Sequence, residues 1–167
     1  MTTVADGTGR GLTEIRRVRP TDAGRMRALR LEMLADAPLA FLETVAEAAA
    51  RPHAEYAARV ARVSAGADTA QFVADPGRPG GRLVGHAGGI AHPTEPDVTV
   101  LYAIYVTPAW RGSGLLADLV AAVAAWSRAC RRNELMLEVV VGNDRAYRAY
   151  QRVGFVDTGV RVPHPTI

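Results

Sequence analysis

The sequence predicts a mixed α/β domain whose N-terminal half is largely antiparallel. Three observations carry that prediction. Three β-rich segments between Gln71 and Val106 are separated only by turn chemistry, as in a meander. The last of them enters a glycine-rich turn, Arg111-Gly112-Ser113-Gly114, and a long apolar-periodic run leaves it. A strand, helix, strand order then closes the chain, with no internal repeat and no low-complexity linker.

Met1–Gly11 is polar and rich in glycine and threonine, so it is expected to be a flexible tail before a single domain over 12–167. Glu14–Arg19 sets Ile15 and Val18 among charges and reads as a short strand. Pro20 stops it and Thr21 is the expected helix N-cap. Met26, Leu29, Met33 and Leu34 recur at helical spacing, which runs a first helix to about Asp36, before Pro38. Ala46–Ala50 is helical and broken by Pro52. Tyr56, Val60 and Val63 form another helical stripe that closes at Gly66. Gln71–Ala74 is a strand, Asp75–Gly81 a turn, Leu83–Ala91 the return strand and Val98–Val106 the third. A long helix follows the glycine turn to about Arg132. Leu135–Val141, rich in branched apolar residues, reads as a buried strand. Asn143 caps a helix over Asp144–Val153, Gly154 ends it, and Phe155–Val162 is the last strand, for about six strands in all.

The chain has 167 residues, of which 49% are hydrophobic, enough for one real core. Its net charge of +3 does not demand a nucleic-acid partner, and an arginine surplus suits a phosphate-bearing ligand. A single cysteine, Cys130, excludes a disulfide framework and a cysteine-based metal cluster, and no metal is expected. There is no secretory pattern, and the longest apolar run contains Asp118, so a cytoplasmic protein away from membranes is expected.

The glycine turn is the first functional candidate. It frees backbone N–H groups and aims a helix N-terminus outward, a natural site for phosphate. The alternative is that the glycines serve only to turn the chain. Gly112-x-Gly114-x-x-Ala117 also fits a dinucleotide fingerprint, but that fingerprint opens a doubly wound parallel sheet, and here it follows an antiparallel meander.

Val106-Thr107-Pro108 followed by Arg111-Gly112-Ser113-Gly114-Leu115-Leu116 resembles the acyl-CoA-binding motif of the GNAT superfamily of N-acetyltransferases. A second block is similar too: Leu137-Glu138-Val139, Asn143, Ala146, Tyr150 and Gly154-Phe155. So is the first helix with Pro38-Leu39-Ala40-Phe41 and Glu43-Thr44 after it. Two departures stand out. Leu116 occupies a position usually held by a small residue. The sequence also ends about a dozen residues after Phe155, where members usually add a seventh strand.

The resemblance implies a GNAT-like fold, with a mixed, mostly antiparallel sheet, flanking helices and splayed central strands. The seventh strand is then missing or supplied by a partner subunit, which makes a homodimer one expectation. It implies acetyl-CoA as co-substrate and a direct transfer to a primary amine. Gly112, Ser113, Gly114, Leu115, Leu116 and Ala117 would present N–H groups to the pyrophosphate, with Arg111 adding charge. Ile104, Tyr105 and Val106 would pair with the pantetheine arm through their backbone and supply an oxyanion donor. Asn143 would hold pantetheine amides, cap its helix, or both. Tyr150 would protonate the departing thiolate, or only pack. Glu138 is the first candidate for general base, against a surface or salt-bridged glutamate, and His86 a weaker one, against a structural histidine. The acceptor is expected to be a small-molecule amine. Glu43, Glu47, Glu55 and Tyr56 either attract a cation or belong to a solvated helix face. A non-catalytic acyl-CoA-binding module and a protein acetyltransferase, acting on N-termini or lysines, are the alternatives.

Overall fold

The computed structural model describes residues 13–78 and 80–164, so the expected tail over 1–11 lies outside the described residues. Five strands, β1 (Glu14–Arg17), β2 (Thr69–Asp75), β3 (Gly85–Ala91), β4 (Val98–Val106) and β5 (Glu134–Met136), form one sheet in sequence order. β1 to β4 are antiparallel neighbours, and β5 joins β4 in parallel. That arrangement excludes the doubly wound parallel sheet a dinucleotide fingerprint would open.

Helices cover both faces. α1 (Ala23–Asp36), α2 (Val45–Ala50) and α3 (His53–Val63) lie on one, where Leu29, Met33, Val60 and Val63 bury against Val73, Leu83 and Tyr105. α4 (Leu115–Ala129) crosses β2, β3 and β4 on the other, burying Leu119 and Val123 completely against Ala70, Ala74 and Leu101. Each such side chain contributes roughly 1.5–3 kcal/mol. α5 (Asp144–Arg152) buries no residue fully.

Thr21 is not the cap expected of it. The chain first makes a 3-10 turn over Pro20–Asp22, and the Asp22 carboxylate accepts the Arg19 N–H at 2.7 Å. The same carboxylate takes two bonds from the buried Arg16, at 2.7 and 2.9 Å, so a tertiary ion pair sets the helix start. α4 ends at Ala129 instead of about Arg132, because Arg131 adopts φ +63. Its last turn is pinned by a closed set of side-chain bonds. Thr99 meets Ser127 at 2.7 Å, Ser127 donates to the Arg132 carbonyl at 2.8 Å, and Arg132 Nε donates back to Thr99 at 2.7 Å.

Two strand expectations fail. Leu135–Val141 is not a buried strand: only Glu134–Met136 pairs, Met136 is exposed, and Val141 is 80% exposed. Phe155–Val162 forms no strand, and Val156, Val160 and Val162 face solvent. Their branched apolar residues match a strand's side-chain preference, but β structure also needs a neighbour to complete its hydrogen bonds, and none pairs with them among the described residues. Among the described residues the sheet therefore has five strands, not about six. Among the described residues no helix is long and apolar enough to cross a membrane.

Candidate active site

β4 positions the site. It pairs with β5 only over Val98–Val100, opposite Glu134–Met136, and beyond that point the two segments part. This is the splay expected of the central strands, and it leaves the β4 edge from Leu101 to Val106 without a ladder partner on that side. The opening coincides with a bulge. One residue separates His86 from Gly88 on β3, whereas two separate Tyr102 from Tyr105 on β4, and Ala103 takes φ +50. Such a bulge bends its strand and increases the local twist. His86 lies buried on β3 with Nδ1 2.6 Å from the Ala103 carbonyl. Burial lowers its pKa to about 4, so the ring is neutral and Nδ1–H donates. His86 thus locks the bulge in place, the structural role weighed for it.

β4 runs through a second 3-10 turn, Pro108–Trp110, into the glycine loop. Gly112 and Gly114 take φ +77 and +89, left-handed values that favour glycine, and Gly114 is the N-cap of α4. Among the described residues, the N–H groups of 112–117 have no hydrogen-bond acceptor. The neighbouring bonds are Arg111 N–H to Pro108 before them and Asp118 N–H to Gly114 after them. A run of free donors at the positive end of a helix dipole is an anion site. Leu116 does not block it: its half-buried side chain packs onto the α4 core. Leu115 is buried in that core, Ala117 is exposed, and the Ser113 hydroxyl turns back to the Trp110 carbonyl.

Arg111 does not point into the loop. Its Nε donates to the Val106 carbonyl at 3.0 Å, its guanidinium meets Asp36 of α1 at 2.5 Å, and it lies 5.7 Å from the Tyr105 ring centre. One turn earlier on α1, Glu32 accepts from the Tyr105 hydroxyl and the Thr107 hydroxyl, both at 2.8 Å. Burial and the Glu32 carboxylate hold the Tyr105 phenol neutral, well above its usual range. Glu32 and Asp36 thus hold both ends of the β4-to-loop passage. The sequence reading passed over both, although their spacing of four puts them on one helix face.

On α5 the Asn143 side chain accepts the Ala146 N–H at 3.3 Å, the capping role expected of it. Tyr150 is half-buried, edge-on to Phe155 at 6.1 Å, and desolvation raises its pKa to about 12. Its hydroxyl has no hydrogen-bond partner among the described residues. Ile104 lies within the bulge and is half-buried, and Val106 is buried. Glu138 lies past β5 on a stretch without regular structure and is exposed, not within a strand lining the wedge. Glu43, Glu47, Glu55 and Tyr56 all have partners within α1–α3 and their loops. No three His, Cys, Asp or Glu residues among those described gather as a metal site.

A sequence model of the acetyltransferase (GNAT) family matches residues 32–155. An aminoglycoside N(6')-acetyltransferase type 1 from Stenotrophomonas maltophilia is 41% identical over 54 residues, 32% of this chain. That match spans only 35% of the relative's length. The fold matches the aminoglycoside N-acetyltransferase AAC(6')-Iy in complex with CoA, with a TM-score of 0.72 and 20% identity over 98% of this chain and 99% of that one. It also matches a glucosamine-6-phosphate N-acetyltransferase from Arabidopsis thaliana, with a TM-score of 0.68 and 15% identity over 93% and 99% of the two chains.

Proposed function

The chain belongs to the GNAT acetyltransferase family, and on that premise we propose that it moves the acetyl group of acetyl-CoA onto a primary amine by direct attack in a ternary complex. The observation that carries this reading is the run of unpartnered N–H groups over 112–117, at the end of a strand whose edge is open from Leu101 to Val106. The loop supplies donors for the pyrophosphate, and the open edge supplies backbone groups for the amides of the extended pantetheine arm. Asn143 is the side chain assigned to the same amides. Its Oδ1 caps α5, which leaves its amide N–H groups for the ligand. The proposed transfer invokes no metal, and it is read as a cytoplasmic reaction.

The amine attacks as the neutral base, and the carbonyl oxygen gathers negative charge as the tetrahedral intermediate forms. A backbone N–H near the bulge, within Ile104–Val106, is the donor assigned to that oxygen. Glu138 remains the candidate base, acting through water given its exposure. Tyr150 is assigned to the departing sulfur. A thiol of pKa about 8.5 is a stronger acid than a phenol near 12, so full proton transfer from Tyr150 would be uphill by roughly 5 kcal/mol. Its part is therefore a hydrogen bond that stabilises the thiolate.

The acceptor is taken to be a small-molecule amine lying against the α1–α2 loop. Calorimetry with acetyl-CoA, followed by an amine panel with free-thiol detection of released CoA, tests the reading. Binding and amine-dependent thiol release are expected. Binding without transfer to any small amine, protein N-terminus or lysine peptide would make this a non-catalytic module. Transfer to the peptides alone would make it a protein acetyltransferase.

A further inference from the structure

The β4 bulge leaves one peptide unit outside the sheet's hydrogen bonding. Ala103 and Ile104 stand out of register with both neighbours: β3 pairs Gly88 with Tyr102 and His86 with Tyr105, and β5 pairs only with Val98–Val100. No other backbone group takes the Ile104 N–H among the described residues. Ala103 keeps φ +50, a conformation disfavoured for a residue with a Cβ, so its surroundings must hold it there. The His86 ring, 3% exposed, supplies a hold: its Nδ1–H donates to the Ala103 carbonyl at 2.6 Å.

That bond also aims the other end of the same peptide unit. Among the described residues no peptide bond is cis. In a trans peptide the carbonyl and the N–H point in opposite directions. With the Ala103 carbonyl turned to His86 on β3, the Ile104 N–H points away from β3, to the side of β4 where the edge is open. Burial keeps the ring neutral and the Arg30 charge opposes a second proton, so Nδ1–H is a fixed donor.

From this we infer that His86 is a positioning residue for acetyl transfer: through the Ala103 carbonyl it holds the Ile104 N–H toward the thioester oxygen. The inference rests on the acetyl-transfer reading, and it narrows the oxyanion donor from Ile104–Val106 to Ile104. His86 itself touches no reacting atom. A donor aligned before charge develops needs no reorganisation during the reaction, and losing one such donor lowers kcat about 100–1,000-fold. Freed from His86, the peptide plane turns about its two flanking single bonds. The N–H then loses its aim while the groups that hold CoA stay in place.

The test uses acetyl-CoA alone and needs no acceptor. Calorimetry measures its binding to the unaltered protein and to His86→Leu, His86→Asn and Thr99→Val. Infrared difference spectra with carbonyl-labelled acetyl-CoA then read the thioester stretch, which a hydrogen bond to its oxygen lowers. The unaltered protein is expected to hold the stretch below its value for free acetyl-CoA. His86→Leu fills the space without a donor, and is expected to bind with little change in affinity while the stretch returns to the free value. His86→Asn keeps an N–H at the Nδ1 position and is expected to keep the lowered stretch. Thr99→Val breaks buried bonds to Ser127 and Arg132 at the far end of the same strand, and is expected to lose stability in urea with the stretch unchanged. If His86→Leu does not fold, His86→Gln, whose amide reaches past the Nδ1 position, takes its place with the same expectation. No lowered stretch in the unaltered protein, a lowered stretch kept without the Nδ1 donor, or its loss in His86→Asn or Thr99→Val overturns the inference. Failure of the unaltered protein to bind acetyl-CoA overturns the acetyl-transfer reading beneath it.

Discussion

Asp36→Asn separates two roles for Arg111 by sign. The structure makes Arg111 a strut: one edge of its guanidinium bonds the Val106 carbonyl at 3.0 Å and the other meets Asp36 at 2.5 Å. Both side chains are about 30% exposed, so solvent screens the pair and it contributes on the order of 1 kcal/mol to holding the loop. Removing the Asp36 charge loosens the loop and is expected to raise KM for acetyl-CoA about 3–5-fold with little change in kcat. If Arg111 instead grips phosphate, Asp36 competes with the ligand, and the same substitution lowers KM by a similar factor. Steady-state kinetics with acetyl-CoA varied, at fixed ionic strength, reads the direction. Arg111→Ala raises KM in either case, so the double variant is the control, expected to match Arg111→Ala alone. A lower KM in Asp36→Asn would falsify the strut.

Four further outcomes follow from the same contacts. Tyr150→Phe removes a hydrogen bond to a charged sulfur, about 1.5–3 kcal/mol, and should lower kcat about 10–150-fold while acetyl-CoA still binds in calorimetry. Unchanged turnover removes Tyr150 from the role. Gly88→Ala would place a Cβ 2.6 Å from Tyr102 Cε2, displacing the ring and its bonds to Thr69 and Gln71, for a loss of about 2–3 kcal/mol in urea unfolding. A loss below about 0.5 kcal/mol would mean the ring yields freely. His86 has its folded pKa lowered to about 4. The unfolded chain therefore takes up the proton first as pH falls, and stability drops by about 3 kcal/mol between pH 6.5 and 4. The slope should vanish in His86→Gln. Asp22 and Asp75, depressed by Arg16 and Arg25, act in a separate window below about pH 4. Val156, Val160 and Val162 are exposed, and among the described residues the sheet ends at β5; together these predict a dimer in light scattering, and a clean monomer at high concentration refutes it.

What was legible depended on range along the chain. The glycine loop was legible because Gly112 and Gly114 turn a strand into a helix within a few residues. α1 and α3 were legible because Met26, Leu29, Tyr56 and Val60 repeat at helical spacing. β4 was read at both ends, since its borders are marked by turn residues. The β4 bulge was not, because an extra residue shows only when β3 is laid beside it. Glu138 was misplaced for a related reason. Its neighbours have strand-like side chains, and the sequence does not reveal that pairing stops at Met136.

The sequence by itself determined the order of elements as far as α5, the glycine turn and the family. Each of these is written in local patterns or in motifs of fixed spacing. Only the tertiary structure decided the partners of the charges. Arg111 finds Asp36 across 75 positions, and Glu43 is held by Arg30 and Arg51. A charged side chain reads the same in sequence whether it faces a ligand or another residue. Its chemistry is set by the nearest opposite charge, because Coulomb attraction depends on distance in space and not on separation along the chain. The loop can therefore be found from sequence, whereas the strut behind it and the pairing of Glu43 cannot.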